Sequence, residues 1–76
     1  MRIIINENLH HYYESHISSH QIVRLAYPGF DFTQRYFFAI KFWDGHPTNN
    51  KGRMFNADKA LVHDGMNFKV SYYRYQ

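Results

Sequence analysis

The stretch Ile17-Ser18-Ser19-His20-Gln21-Ile22-Val23-Arg24-Leu25-Ala26-Tyr27-Pro28 constrains the fold more than any other part of the chain. It reads as the helix. The Ser18 hydroxyl is placed to accept from a first-turn N–H as an N-cap. Gln21, three residues on, can reach back and complete a capping box, and Ile17 and Ile22 stand at the two positions of a hydrophobic staple. Ile22, Leu25 and Ala26 form one apolar stripe at i, i+3 and i+4. Pro28 and Gly29 end it, because proline has no N–H and disfavours helical geometry at Tyr27. A helix of about two and a half turns does not hold alone in water. It must lie on other structure, and the rest of the chain reads as strand.

Arg2 to Asn6 is short and β-branched, a strand beginning near the N-terminus. Asn6-Glu7-Asn8 carries turn chemistry, and Leu9 to Glu14 reads as the second half of a hairpin. After the helix, Phe30 to Gln34 is a connection with aromatics that can tuck under the helix end. Tyr36 to Trp43 is the strongest strand. Phe38, Ile40 and Phe42 lie on its core face; Phe37, Ala39, Lys41 and Trp43 lie on the other, which Lys41 marks as wetted. Asp44 to Gly52 is a polar, turn-rich loop where disorder is expected. Arg53-Met54-Phe55 suits a short strand, and Ala57 to Val62 stays ambiguous. Asp64-Gly65 is a tight turn. Asn67 to Tyr73 alternates, with Phe68, Val70 and Tyr72 inward and Asn67, Lys69, Ser71 and Tyr73 outward. The order hairpin, helix, strand, short strand, strand is an α+β arrangement of four to five strands packed on one short helix. The first and last strands can pair in parallel at the sheet centre, which would make a β-grasp; periodicity alone does not set that order.

Seventy-six residues make a single domain, residues 1–76, and a chain of this size buries only about 60% of its unfolded surface. It has no cysteine, so no disulfide staples it; seven Phe, seven Tyr and one Trp compensate with large buried areas. The net charge of +3 comes from scattered Lys and Arg, a weak signal for nucleic acid. No apolar run approaches a membrane span, and the N-terminus lacks the pattern of a signal peptide. A soluble cytoplasmic protein is expected.

Ile17-Ser18 followed by Gln21-Ile22-Val23-x-Leu25-Ala26-Tyr27-Pro28 resembles the helix of the prokaryotic multi-ubiquitin-type domains. Tyr36 opening an aromatic strand, the opening Ile3-Ile4-Ile5-Asn6, and the close His63-Asp64-Gly65-Met66-Asn67-Phe68-Lys69-Val70 are similar to the same family. The likeness spans nearly the whole chain, with a gap over Gly45 to Lys51. It implies a ubiquitin-like β-grasp domain of bacterial conjugation operons, some linked to phage defence. It also implies a protein modifier: an E1-like adenylating enzyme activates its C-terminal carboxylate, an E2-like carrier passes it to a target protein, and a JAB-type or other peptidase processes it. Such a modifier is not an enzyme and needs no cofactor. The conjugation tail would be Tyr75 and Gln76, at the end of Tyr72 to Gln76. Family members often carry tandem copies, whereas this chain has one. The tail also has no glycine, which leaves a processed tail, an unusual partner enzyme and a non-conjugated adaptor all open.

Other constellations are weaker. His10, His11, His16, His20, His46 and His63 suggest a metal site, but Ser18 separates His16 from the helix and so breaks the i, i+4 spacing with His20. No cysteine or suitably spaced carboxylate supports one. The serines and threonines join no nucleophile motif, so no catalytic residue is expected. The outward residues Lys41, Trp43, Lys69 and Tyr73 make an aromatic patch with positive charge, the composition of a protein-docking face. The alternatives are that Trp43 folds under the following loop, or that the patch stacks single-stranded nucleic acid.

Overall fold

The computed structural model describes residues 1–31, 33, 36–45, 47 and 52–74, the last by its backbone. The elements run β1 (Arg2–Ile5), β2 (Asn8–His11), β3 (His16–Ile17), α1 (Ser19–Ala26), β4 (Tyr36–Trp43), β5 (Arg53–Met54), β6 (Ala60–Leu61) and β7 (Asn67–Arg74). Five strands form a mixed sheet in the order β2-β1-β7-β4-β5, and β3 and β6 make a small second sheet. The chain is therefore α+β, with one short helix. β1 and β7 are parallel neighbours in the sheet, and the other pairs are antiparallel.

The β1–β2 hairpin turns on Asn6 and Glu7, both at positive φ (50° and 70°). A two-residue turn with both φ positive matches the twist of its strands. Asn tolerates that geometry; Glu bears a steric penalty there. β2 ends at His11, earlier than the expected Glu14. Backbone pairing continues one residue further, as Tyr12 N–H donates to the Met1 carbonyl at 2.7 Å. The Tyr12 hydroxyl then donates to the His16 carbonyl at 2.6 Å and turns the chain into β3.

The helix carries the capping box its sequence implies. Gln21 N–H donates to Ser18 Oγ at 3.1 Å, and Ser18 N–H donates to Gln21 Oε1 at 2.8 Å. Ile17 and Ile22 are both buried. The buried stripe includes Val23, which the i, i+3, i+4 pattern passed over, while Leu25 and Ala26 pack against the core half-buried. Ser19 adds an anchor that was not foreseen. Its N–H and hydroxyl donate to the Ala57 carbonyl at 2.9 and 3.2 Å, and its oxygen accepts from Ala57 N–H at 2.9 Å. That seat brings the ambiguous segment Ala57 to Val62 alongside the helix start. Its residues Ala60 and Leu61 pair with Ile17 and His16.

Phe68, Ile3, Ile5, Ile17 and Ile22 fill the centre of the core with no exposed surface worth noting. Each such side chain stabilises by about 1.5–3 kcal/mol. On β7 the expected inward set holds for Phe68 and Val70, but Tyr72 keeps 47% exposure. It closes the open end of the core with aromatic edges: Tyr27 at 5.2 Å, Tyr36 at 5.5 Å and Phe30 at 5.9 Å. β7 runs one residue past the expected Tyr73, so Tyr72 to Arg74, which open the tail stretch Tyr72 to Gln76, pair with Phe38, Phe37 and Tyr36. Most of the polar loop (residues 46 and 48–51), Phe32 and Gln34 of the connection, and Tyr75 and Gln76 lie outside the described residues.

The parallel ladder between β1 and β7 is short, joining Ile4 to Asn67 and Ile5 to Phe68. Side chains lengthen it at both ends. At one end Asp64 Oδ1 accepts from Arg2 N–H at 2.7 Å, and Gly65 N–H (φ +85°) donates to the Arg2 carbonyl at 2.7 Å. At the other end, where the chain leaves the sheet for the hairpin, the Asn6 amide takes over. Val70 N–H donates to Asn6 Oδ1 at 2.8 Å, and Asn6 Nδ2 donates to the Val70 carbonyl at 3.3 Å. The Tyr27 hydroxyl, at the helix C-cap, donates to the same carbonyl at 3.2 Å.

Two outcomes follow. Asn6→Gly should lower unfolding free energy by about 1–3 kcal/mol, because Val70 N–H loses its partner. Asn6→Ala should cost roughly 1 kcal/mol more, from Cβ strain at positive φ. Urea denaturation checks both, and an Asn6→Gly protein as stable as the parent would refute the role. Asp64 gives a pH signature. The Arg2 backbone N–H, then the Arg2 guanidinium and the N-terminal amine, hold its carboxyl below the usual range against an opposing effect of desolvation. A depressed carboxylate contributes stability above its unfolded value, near ~3.9, and loses it as pH falls through the folded value. Thermal melts in that acid range should therefore fall less steeply with pH for Asp64→Asn than for the parent.

Candidate protein-docking face

The alternation of β4 and β7 sends one set of side chains into the core and the other to the outer face of the sheet. Register decides which of the outer set meet. Lys41 stands opposite Lys69, Phe37 opposite Tyr73, Ala39 opposite Ser71 and Trp43 opposite Asn67. β1 and β2 continue the Asn67 row outward through Ile4 and Leu9, and β5 places Met54 beside Lys41. The face thus has a row of Leu9, Ile4, Asn67 and Trp43, apolar except for Asn67, then a lysine row, then a small-residue row, then an aromatic pair.

The structure brings Lys41 and Lys69 together and places both in solvent. Neither forms an ion pair with a described residue. Like charges directly across a sheet destabilise it by about 0.2–1 kcal/mol. Tyr73 and Phe37 stack across the strands, centroids 5.0 Å apart and planes 23° apart, and both stay about half exposed.

Trp43 differs from its three companions. Its indole is half-buried, and the backbone of Gly52 lies against the ring: a Cβ at Gly52 would come within 2.6 Å of Cε2 and Cζ2. Of the two readings open for Trp43, the ring does lie under the end of the following loop, and it forms a wall of the face. Its Nε1–H is buried and without a partner among the described residues. Sequence reasoning missed Leu9 (56% exposed) and Met54 (68% exposed) as members of this face. Each lies in a segment read as strand, but only the register shows that they border the lysines. A shallow depression of about 180 Å³, lined by Arg2, Ile4, Leu9, Asp64 and Gly65, borders the face on the β1–β2 side.

The other candidate chemistry is dispersed. Among the described residues no three of His, Asp and Glu converge on a point. Ser18 caps the helix, Ser19 is held by Ala57, and Ser15 Oγ lies 2.9 Å from His16 Nδ1. The helix N-terminus is closed by these bonds rather than open to an anion. A cleft of about 380 Å³ lies between α1 and β4, lined by Ser19, Val23, Tyr36, Ile40 and Phe55 among others. Among the described residues no helix is long and apolar enough to cross a membrane.

Since Trp43 is the single tryptophan, its emission reports on this wall alone. Gly52→Ala should push the loop or the indole outward, costing about 1–3 kcal/mol and shifting the emission to the red. An unchanged spectrum would mean that the Gly52 contact does not exist in solution. No protein-family model, curated protein or solved structure matches the chain.

Proposed function

We propose that the chain is a ubiquitin-like β-grasp protein modifier of a bacterial conjugation pathway, acting in the cytoplasm. The strand arrangement carries the reading. The first and last strands lie side by side in parallel, flanked by the β2 hairpin arm on one side and by β4 and β5 on the other, and α1 packs on the core side of β1 and β7. This order is compatible with the β-grasp that the family resemblance implies. In this reading the E1-like adenylating enzyme and the E2-like carrier grip the outer face around Lys41, Trp43, Lys69 and Tyr73. Tyr75 and Gln76 form the end that is activated and joined to a target protein, and a JAB-type or other peptidase trims or releases it. The domain itself performs no chemistry, and any part in phage defence would come from the pathway it serves.

One observation favours a second reading, a non-conjugated ubiquitin-like adaptor. β7 remains paired to β4 as far as Arg74 opposite Tyr36. The residues from Tyr72 to Arg74 would have to peel from the sheet to enter a narrow enzyme channel, and they carry bulky side chains where glycine would suit.

Incubating the chain with ATP and the adenylating and carrier enzymes encoded beside it should yield a covalent adduct through Gln76, seen by intact mass. Deleting Tyr75 and Gln76 should abolish the adduct and leave binding to those enzymes in place, because no described strand is shortened. If active enzymes give no adduct yet still bind the domain, the adaptor reading replaces the modifier.

A further inference from the structure

We propose that the outer sheet face receives an extended acidic segment of a partner protein, its carboxylate seated between Lys41 and Lys69 and an apolar side chain on either side. This rests on the reading of that face as a docking surface and specifies what docks there. Three features carry it: the uncompensated lysine pair, the apolar groups flanking it, and the spacing between rows.

Lys41 and Lys69 are adjacent across the strands, exposed, and not neutralised by any described carboxylate. Their mutual repulsion weakens a domain with a thin stability margin. A carboxylate between them removes that repulsion and gains two charge-assisted contacts. A second copy of this chain would instead bring four ammonium groups together, so self-association through this face is opposed.

The spacing selects an extended segment. Trp43 and Asn67 lie two residues from the lysine row along their strands; Phe37 and Tyr73 lie four residues away on the other side. At about 3.4 Å per residue, those rows stand roughly 7 and 14 Å from the lysines. A strand-like partner lying along β4 presents same-side groups every second residue, roughly 7 Å apart. An apolar residue at its first position, Asp or Glu at its third and an apolar residue at its seventh match the rows in turn. The small Ala39 and Ser71 leave room opposite the fifth. A helical partner repeats every 5.4 Å and falls out of step across the same span.

Single-stranded nucleic acid fits less well. Base stacking needs ring faces that are open, and Phe37 and Tyr73 each cover one face of the other. Among the described residues the lysine row supplies two cations to this face.

The test is a titration followed by amide NMR shifts, using the full chain. The probe is a seven-residue peptide, Leu-Ser-Glu-Ser-Ser-Ser-Phe with blocked ends; a second carries Gln for Glu, and a third probe is a short oligothymidylate. The acidic peptide should shift amides of residues 37–43 and 67–73, and should bind at least about fivefold more tightly than the Gln peptide at low salt, with the gap closing as salt rises. Lys41→Glu should abolish the preference. It should also raise the melting temperature, because it creates a cross-strand ion pair with Lys69, so loss of binding cannot be ascribed to unfolding. Equal binding of both peptides at this face would overturn the acidic partner and leave the docking surface intact. Shifts confined elsewhere, or none at millimolar peptide, would overturn both. Tighter binding of the oligothymidylate would assign the face to nucleic acid instead.

Discussion

The three-way junction at Val70 is the constraint from which the rest of the fold follows. A parallel pair must be joined by a long crossover and gains little until that crossover is in place. Here nearly the whole chain is the crossover, and the β1–β7 ladder it closes has only two register pairs. Side chains make up the difference. The Asn6 amide presents to Val70 the same donor and acceptor that another peptide unit would, after the backbone has already turned away into the hairpin. Tyr27 places a hydroxyl from the helix end on the same carbonyl. Strand, hairpin turn and helix C-cap are thereby tied at one point, and the direction of each is set relative to the others.

The opposite end of the ladder uses charge where the first uses an amide. Asp64 accepts from Arg2 N–H and faces its guanidinium at 3.7 Å. The ion pair is largely exposed and adds little by itself. The backbone bond matters more, since it extends the ladder by one rung and holds the Gly65 turn in place. The helix is seated by a comparable device, with Ser19 and Ala57 exchanging three bonds across a gap of 38 residues. In a chain of this size, where the core is small, such paired polar contacts supply much of the directional information that a larger core would supply by shape.

What was legible in the sequence divides along physical lines. The helix was legible because its signals are local: Ser18, Gln21 and Pro28 each act within one turn. Val23 was not, because the apolar stripe was drawn too narrow for a helix whose whole inner side meets β1 and β7. The faces of β4 and β7 were legible from alternation. Their ends were legible too, apart from Arg74, whose place in β7 shows only when Tyr36 is seen opposite it. β3 and β6 are two-residue strands whose pairing depends on the Ser19–Ala57 seat, a contact with no local trace. Asp64 read as turn chemistry, and its second role toward Arg2 depends on residues 62 positions apart. Of the outer sheet face proposed for docking, Lys41, Trp43, Lys69 and Tyr73 came from alternation. Leu9 and Met54 needed register, and the half-burial of Trp43 needed Gly52.

The placement of the lysines bears on function because it works against the fold. Ion pairing could have relieved the repulsion: an acidic residue at either position would create a cross-strand pair on a sheet that has few contacts to spare. The neighbours do not shield the charges either, since Ala39 and Ser71 are small and Met54 is largely exposed. The aromatic pair at one end and the Trp43 wall at the other leave the two ammonium groups as the charged centre of a strip with aromatic ends. Docking surfaces concentrate their energy in such an arrangement, with aromatic anchors around a polar contact that gains strength as water is excluded. In the proposed complex, repulsion that a partner's carboxylate relieves is interaction energy held for the bound state, so the same feature that weakens the isolated domain would sharpen its choice of partner.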